Sequence, residues 1–571
     1  MFMNIMNKEN KTCQNCKKDF TIEPDDFSFY EKIKVPPPTF CPECRFQRRY
    51  AWRNEITLYR RPCDLCGKSS VTIYSPKKSY KVYCPNCWWG DGWDAKESFQ
   101  DFDFSRPFFE QFQELQFKIP RIALLTKNSV NSEYTNHSGD NKNCYMCVST
   151  FYSENIMYSN NIWEKGQDLC DCTMVIKNGV LSYECIDSSD IYNCQFCILL
   201  KNCTDCFYCY DLHNCQNCFL SFNLRNKNYM ILNQQYSKEE YFKKIKNFNL
   251  NSNNSRQNLY KQFLDLMKNK ALHKFAIIEK SVNSFGNMLY NSKNANQVFD
   301  SDHVEDTKYG IILPGVQNSM DVCHVGFNCE LTYESHAIVR SSRVLFSHLS
   351  YDNNDIQYCD SCHYSDNLFG CCGIKKGSYM IFNKKYSKEE YLKLKEKIIE
   401  HMKRTGEYGN FFPPKLSPFG YNESQAQVYL PMAKEKALSF GFNWEDDMPG
   451  THGKETTDSK NISDNIFEVL DSITNEILKC EDCGKNYNII LAELQFYKNE
   501  NIPIPHFCYK CRYKKRIALR LPRKLWHRSC MCDKIGHFHG DDKCNVEFET
   551  SYAPERPEIV YCEKCYQQEI Y

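Results

Sequence analysis

Nowhere in these 571 residues do about 18 apolar residues run together, so a hydrophobic membrane-spanning helix is excluded and no membrane partner is expected. The opening residues, MFMNIMNKENKT, also lack the apolar stretch of a secretory signal, and the expectation is a cytoplasmic protein. One-sided charge is missing too. Lys and Arg number 72 against 71 Asp and Glu, a net +1, which excludes a globally basic coat for nucleic acid. Any basic surface is local. The run GTHGKET lacks the Gly-x4-Gly-Lys-Ser/Thr spacing that lets backbone amides surround a phosphate. The length exceeds what one core holds, and roughly three to five domains are expected.

Cysteine, by contrast, is abundant: there are 35. In a reducing compartment short Cys pairs are metal ligands or core residues rather than disulfides. Cys13/Cys16 and Cys41/Cys44 open the chain, and Cys480/Cys483 and Cys508/Cys511 repeat the arrangement near its end. Each pair supplies two thiolates, and two pairs complete the tetrahedron that Zn²⁺ prefers. Both copies keep an aromatic after the first pair (Phe20, Tyr487), a Phe-Tyr (Phe29-Tyr30, Phe496-Tyr497) and a Pro-x-Pro before the second pair. An Arg follows directly in each, Arg45 and Arg512. Cys63, Cys66, Cys84 and Cys87 form a further site, with VTIYSPKKSYKVY between its pairs reading as a β-hairpin. The last site draws first on Cys530, Cys532, Cys562 and Cys565, with Cys544, His537 and His539 in the same loop as substitutes. Four thiolates close a coordination sphere and leave no place for activated water, so about four structural Zn²⁺ are expected.

These motifs resemble zinc-ribbon modules of treble-clef type. The whole layout is similar to uncharacterised cysteine-rich zinc-ribbon proteins of small-genome uncultured bacteria. The motif match covers the two ends of the chain, and the central half carries a looser similarity. The resemblance implies that a knuckle and hairpin carry the first pair and a helix start the second, and it implies no activity.

The central half repeats itself. Asn193/Asn214, Cys194/Cys215, Cys197/Cys218, Asn202/Asn223 and Tyr208/Tyr229 align at one offset, and Asn-Cys-x-x-Cys begins at 143, 193, 202 and 214. A period of about 20 with frequent Asn suits a parallel β-helix that stacks like residues on like. Stacked Asn would satisfy turn groups and Cys would fill narrow corners as a small apolar residue. Metal or redox handling through these thiols is the alternative. Each block closes on a capping box, Ser237 with Glu240 and Ser387 with Glu390, which predicts a helix covering the last strand edge. Apolar stripes predict helices over Phe108–Gln116, over 255–275 and, as an amphipathic lead-in, over 462–478; AQVYLPMAKEKALSFGF also reads as helix-like. The first of these should cap the block that follows it.

The predicted fold class is mainly β and multidomain. Tandem treble-clef or zinc-ribbon modules lie at both ends, with two right-handed parallel β-solenoid repeats and their capping helices between. The expected order is 1–90 zinc modules, 91–140 linker and capping helix, 141–246 solenoid and 247–280 helical connector. Then come 281–402 second solenoid, 403–478 linker and 479–571 zinc modules.

Two basic stretches follow zinc pairs. One carries Arg45, Arg48, Arg49 and Arg53. The other carries Lys510, Arg512, Lys514, Lys515, Arg516, Arg520, Arg523 and Lys524, with no acidic residue from 509 to 528. Arg interleaved with aromatics grips phosphates, so nucleic acid or an acidic protein is the expected partner. The competing reading is a face docked on this chain's own acidic segments. The function predicted is a zinc-binding scaffold. A β-helix enzyme could draw on Asp187, Asp190 and Asp205 or Asp352, Asp355 and Asp360, but Asp near β-turns is ordinarily turn chemistry, and no catalytic residue is assigned.

Overall fold

Long stretches of the chain hold one residue in three at positive φ. Asn193, Phe196, Leu199, Asn202, Asp205 and Tyr208 lie in one such run, which extends from Leu181 to Leu232. The left-handed conformation costs an L residue roughly 1–2 kcal/mol, and Asn and Asp tolerate it best because their short side chains bond locally. That is why those two types crowd the repeat. The residue after each bend turns inward: Cys194, Cys197, Leu200, Cys203, Cys206 and Cys209 are at most 1% exposed.

The computed structural model describes residues 8–571 and is mainly β, with two large sheets of 12 strands each. Within each sheet the strands run parallel, apart from a final antiparallel pair. Thr204 pairs Gln216 and Cys206 pairs Cys218, so one rung lies 12 residues beyond the last. The separation is 13 around Asn160 and 11 around Asn283. This corrects the period of about 20 read from the sequence. The alignment of Asn193 with Asn214 spans whole three-residue steps, and since every step looks alike it does not reveal the rung length.

Stacking at that spacing satisfies the polar groups. Asn131 donates to Asn143 and Asn143 to Asn155, both at 3.1 Å; Asn202 donates to Asn214 at 2.8 Å and Asn214 to Asn226 at 3.1 Å. Inside, Cys197 Sγ lies 3.2 Å from the carbonyls of both Gln195 and Cys206. Ser182 and Ser188 occupy equivalent places, each donating to a carbonyl and accepting an amide of the next rung. The inward thiols are therefore core residues with weak donors.

Each sheet ends as its capping box predicts. Asn228–Ile231 pairs Gln234–Gln235 before the helix Lys238–Ile245, and Ser378–Ile381 pairs Lys384–Lys385 before Lys388–Arg404. The connector forms the helix Asn253–Asn269.

By contacts the chain divides into two compact units that do not follow sequence order. One comprises 1–123, 276–448 and 523–525; it joins the N-terminal cysteine pairs to the second sheet. The other comprises 124–275, 449–522 and 526–571, and joins the C-terminal pairs to the first sheet.

Several local expectations change. The helix Phe108–Lys118 covers not the sheet that follows it but the second one, where Phe108 meets Tyr358, Phe369 and Phe382. Residues 462–478 form only the short turns Ile466–Glu468 and Asp471–Asn475, although Ile462, Ile466, Val469 and Ile473 are buried at helical spacing. They pack in one cluster with Leu494 and Tyr497, so burial is met without a continuous helix. VTIYSPKKSYKVY is not a hairpin of its own. Ser69–Thr72 pairs backward with Tyr59–Pro62, and Val82–Tyr83 pairs in parallel with Arg121–Ile122. AQVYLPMAKEKALSFGF breaks at Pro431 into Gln425–Tyr429 and Lys434–Ser439.

Candidate metal centres

One local design recurs four times. A β-hairpin carries the first cysteines in its turn, and a helix begins on a later cysteine. Glu9–Thr12 and Asp19–Ile22 flank Cys13 and Cys16, with Cys41 capping Pro42–Tyr50. Tyr59–Pro62 and Ser69–Thr72 flank Cys63 and Cys66, with Cys84 capping Pro85–Trp89. Leu478–Lys479 and Asn486–Tyr487 flank Cys480 and Cys483, with Cys508 capping Tyr509–Leu519. Trp526–Ser529 and Glu547–Thr550 flank Cys530, Cys532 and Cys544, with Cys562 capping Glu563–Ile570.

The turn itself demands a left-handed residue after the second cysteine. Gly67 and Gly484 supply it at φ 73° and 70°, and Lys17 at 63°. In each, that residue's amide donates to the first cysteine's carbonyl, at 2.9 to 3.1 Å. Across all four copies the helix-capping cysteine donates its amide to the first sulfur: Cys41 to Cys13, Cys84 to Cys63 and Cys562 to Cys530 at 3.2 Å, Cys508 to Cys480 at 3.3 Å. Burial opposes ionisation at Cys13, Cys63 and Cys480, but the amides of each turn outweigh it and hold the thiols down at about 7. Burial pushes Cys508 and Cys530 up to about 11.

Among the described residues, five groups could hold a metal ion, each with ligand atoms within 4.8 Å of one another. Three are the sets read from the sequence: Cys13/Cys16/Cys41/Cys44, Cys63/Cys66/Cys84/Cys87 and Cys480/Cys483/Cys508/Cys511. The fourth differs. It is Cys530/Cys544/Cys562/Cys565, so Cys544 takes the place expected of Cys532. With one residue between them instead of two, Cys530 and Cys532 do not fold back on one ion. The amide of Cys544 instead bonds the carbonyl of Cys532 at 2.9 Å, which brings the far strand's sulfur in. Cys532 joins a fifth group with His537, His539 and Cys565.

The basic helices behave differently from a phosphate grip. Arg45 Nε lies 2.9 Å from Asp321, and Arg49 lies 2.7 Å from Glu334 and 3.3 Å from Asp321. In the other unit Arg512 Nε lies 2.9 Å from Asp171, and Arg516 lies 2.7 Å from Asp171 and 3.3 Å from Glu184. The four guanidiniums and both aspartates are at most 4% exposed. Arg48 donates to the carbonyls of Phe411 and Phe412, and Arg53 pairs Glu55. Arg520 lies 2.9 Å from Asp187, and Arg523 lies 2.8 Å from Asp300. The expectation that these arginines face phosphate is corrected: Arg45, Arg49, Arg512, Arg516 and Arg520 dock each cysteine module on the sheet of its own unit. Burial works against the charge of Arg45 and Arg512, yet the adjacent aspartates hold both guanidiniums well above their usual range.

Lys514, Lys515 and Lys524 are exposed and Lys510 is half-buried. Lys515 sits 3.0 Å from the Phe507 ring centre and Lys524 lies 3.8 Å from Glu43. The sequence reading missed Asp171, Glu184, Asp321 and Glu334. Each carries positive φ and looks like an ordinary bend residue. The aspartates considered for catalysis are spoken for: Asp187 by Arg520, Asp190 by Asn178, Asp205 by Asn193, Asp352 by Arg340, Asp355 by Lys395 and Asp360 by Arg121. Among the described residues no helix is long and apolar enough to cross a membrane.

No protein-family model matches this chain, and no curated protein does. Among solved structures, a candidate acetyltransferase from Desulfovibrio desulfuricans G20 aligns at 6% identity over 47% of this chain and 71% of its own. The TM-score of 0.11 is too low to carry an argument.

Proposed function

We propose that the chain is a zinc-stabilised scaffold of the reducing cytoplasm, built from treble-clef-like zinc modules docked on two β-solenoids. One observation carries the metal reading. Cys16 and Cys41, and Cys483 and Cys508, have sulfurs 3.7 Å apart, and Cys544 and Cys562 have theirs 4.0 Å apart. A tetrahedron with Zn–S bonds of about 2.3 Å has edges of about 3.8 Å. Four ligands to one ion leave no open position, so the metal's role is structural. The parallel rungs about 12 residues apart and the inward cysteines support the solenoid reading.

The working surface is then the outside of the rungs and the exposed flank of the basic helix. With the arginines engaged, contact with nucleic acid or an acidic protein falls to cations such as Lys514 and Lys515. Metal analysis of the full chain tests the first part, with about four zinc ions in tetrathiolate sites expected and a metal-free folded protein overturning it. A gel shift with mixed RNA and DNA tests the second. Reversing Lys514 and Lys515 to Glu should abolish any salt-sensitive complex, and a complex that persists unchanged would move the contact elsewhere.

A further inference from the structure

The fourth and fifth ligand groups share one residue, Cys565. Seven side chains are involved: Cys530, Cys544 and Cys562 on one side, Cys532, His537 and His539 on the other, and Cys565 in both. Seven ligands are what two tetrahedra need when they share a corner. We propose that the C-terminal module holds a binuclear metal cluster bridged by the Cys565 thiolate. This rests on the zinc reading above and adds an ion that no four-cysteine module accounts for.

Both histidines are set as ligands by their outer nitrogens. His537 Nε2 lies 3.0 Å from Glu569 on the C-terminal helix, leaving Nδ1 3.3 Å from Cys532 Sγ. The edge of a tetrahedron with one nitrogen and one sulfur ligand is about 3.5 Å. His539 Nδ1 donates to the Asp542 carbonyl at 2.7 Å, which fixes the tautomer and gives Nε2 its lone pair. That Nε2 is buried and has no hydrogen-bond partner. A buried acceptor left open costs free energy unless something occupies it, and a cation does so. Carboxylate and carbonyl partners of this kind orient metal-binding imidazoles generally.

The loop is built to present them. Gly536 and Gly540, at φ 81° and 77°, turn the chain on either side of His537–His539, and the Gly540 amide closes on the His537 carbonyl at 2.8 Å. The Phe538 amide donates to Gln568 at 3.0 Å, tying the loop to the helix that begins at Cys562. The chemistry also balances. Five thiolates and two neutral imidazoles around two dications leave a single net negative charge, which a partly buried site tolerates better than separate tetrathiolates.

The test uses the full-length chain. Zinc content should be five per chain, one for each ligand group; His539→Ala and Cys532→Ser should each reduce it to four, and Cys565→Ala to three. Replacement of zinc with ¹¹³Cd should give two resonances split by mutual coupling through the shared sulfur, and His539→Ala should collapse the splitting. Four ions per chain with no change in Cys532→Ser would overturn the cluster and leave the tetrathiolate reading standing. Five ions without cadmium–cadmium coupling would overturn the bridge. A metal-free chain would remove both readings at once.

Discussion

Asp171 and Asp321 each pair with two buried guanidiniums. Removing one acid takes a buried partner from two cations, which keep only their glutamate contacts, and breaking such a buried pair costs about 3–5 kcal/mol. Asp171→Leu should therefore lower the denaturation midpoint sharply, with hydrogen exchange rising first in 124–275 and 449–522. Asp321→Leu should do the same within 276–448. A companion Arg516→Met should recover part of the loss in the first case, because it removes one stranded charge; an additive double mutant would show that the pair is not a unit. The inward cysteines obey size rather than redox chemistry. Cys206→Ser should be tolerated, since serines already occupy such places, whereas Cys206→Leu should cost about 1–3 kcal/mol by overpacking. Equal losses in urea titrations of the two variants would contradict this.

At the scale of elements, the helix Pro85–Trp89 depends on a neutral ring. His363 is packed among Trp88, Trp89 and Tyr351, and burial pulls its pKa from 6.5 down to about 3, against the pull of Asp352 and Asp360. The folded pKa is the lower one, so the unfolded chain takes up the proton first as pH falls. The stabilisation is complete above about 6.5 and is lost as pH falls toward 3, at about 1.4 kcal/mol per pH unit. Urea midpoints followed by tryptophan fluorescence should show this slope, and His363→Phe should flatten it. The elements also show what was legible in the chain. Capping boxes, Cys-x-x-Cys turns and the Asn-Cys steps act within a few residues, and each reappears in the structure. The stripe at 462–478 misled because burial against a neighbour needs apolar spacing but not helical hydrogen bonds.

For the molecule as a whole, the decisive fact is that each cysteine module serves a sheet distant in sequence. A chain ending at 448 lacks Arg512 and Arg516, so Asp171 and Glu184 lose their partners. Rapid exchange is expected over 124–275, and adding residues 449–571 in trans should restore protection. Slow exchange in the truncated chain alone would refute that dependence. Chelation should have a related effect, because the helices that carry the docking arginines begin on the proposed cysteine ligands and metal binding at such sites is coupled to folding.

Sequence alone determined what short-range chemistry controls: which cysteines pair across a turn, where helices start, and that the centre repeats in small Asn- and Cys-rich steps. The tertiary structure decided the rung of 12 residues, the choice of Cys544 over Cys532 and the burial of the arginines. Those outcomes depend on which groups meet after hundreds of intervening residues. Desolvation makes an unpaired charge inside intolerable, so the fold chose the acids that a local reading had taken for bends.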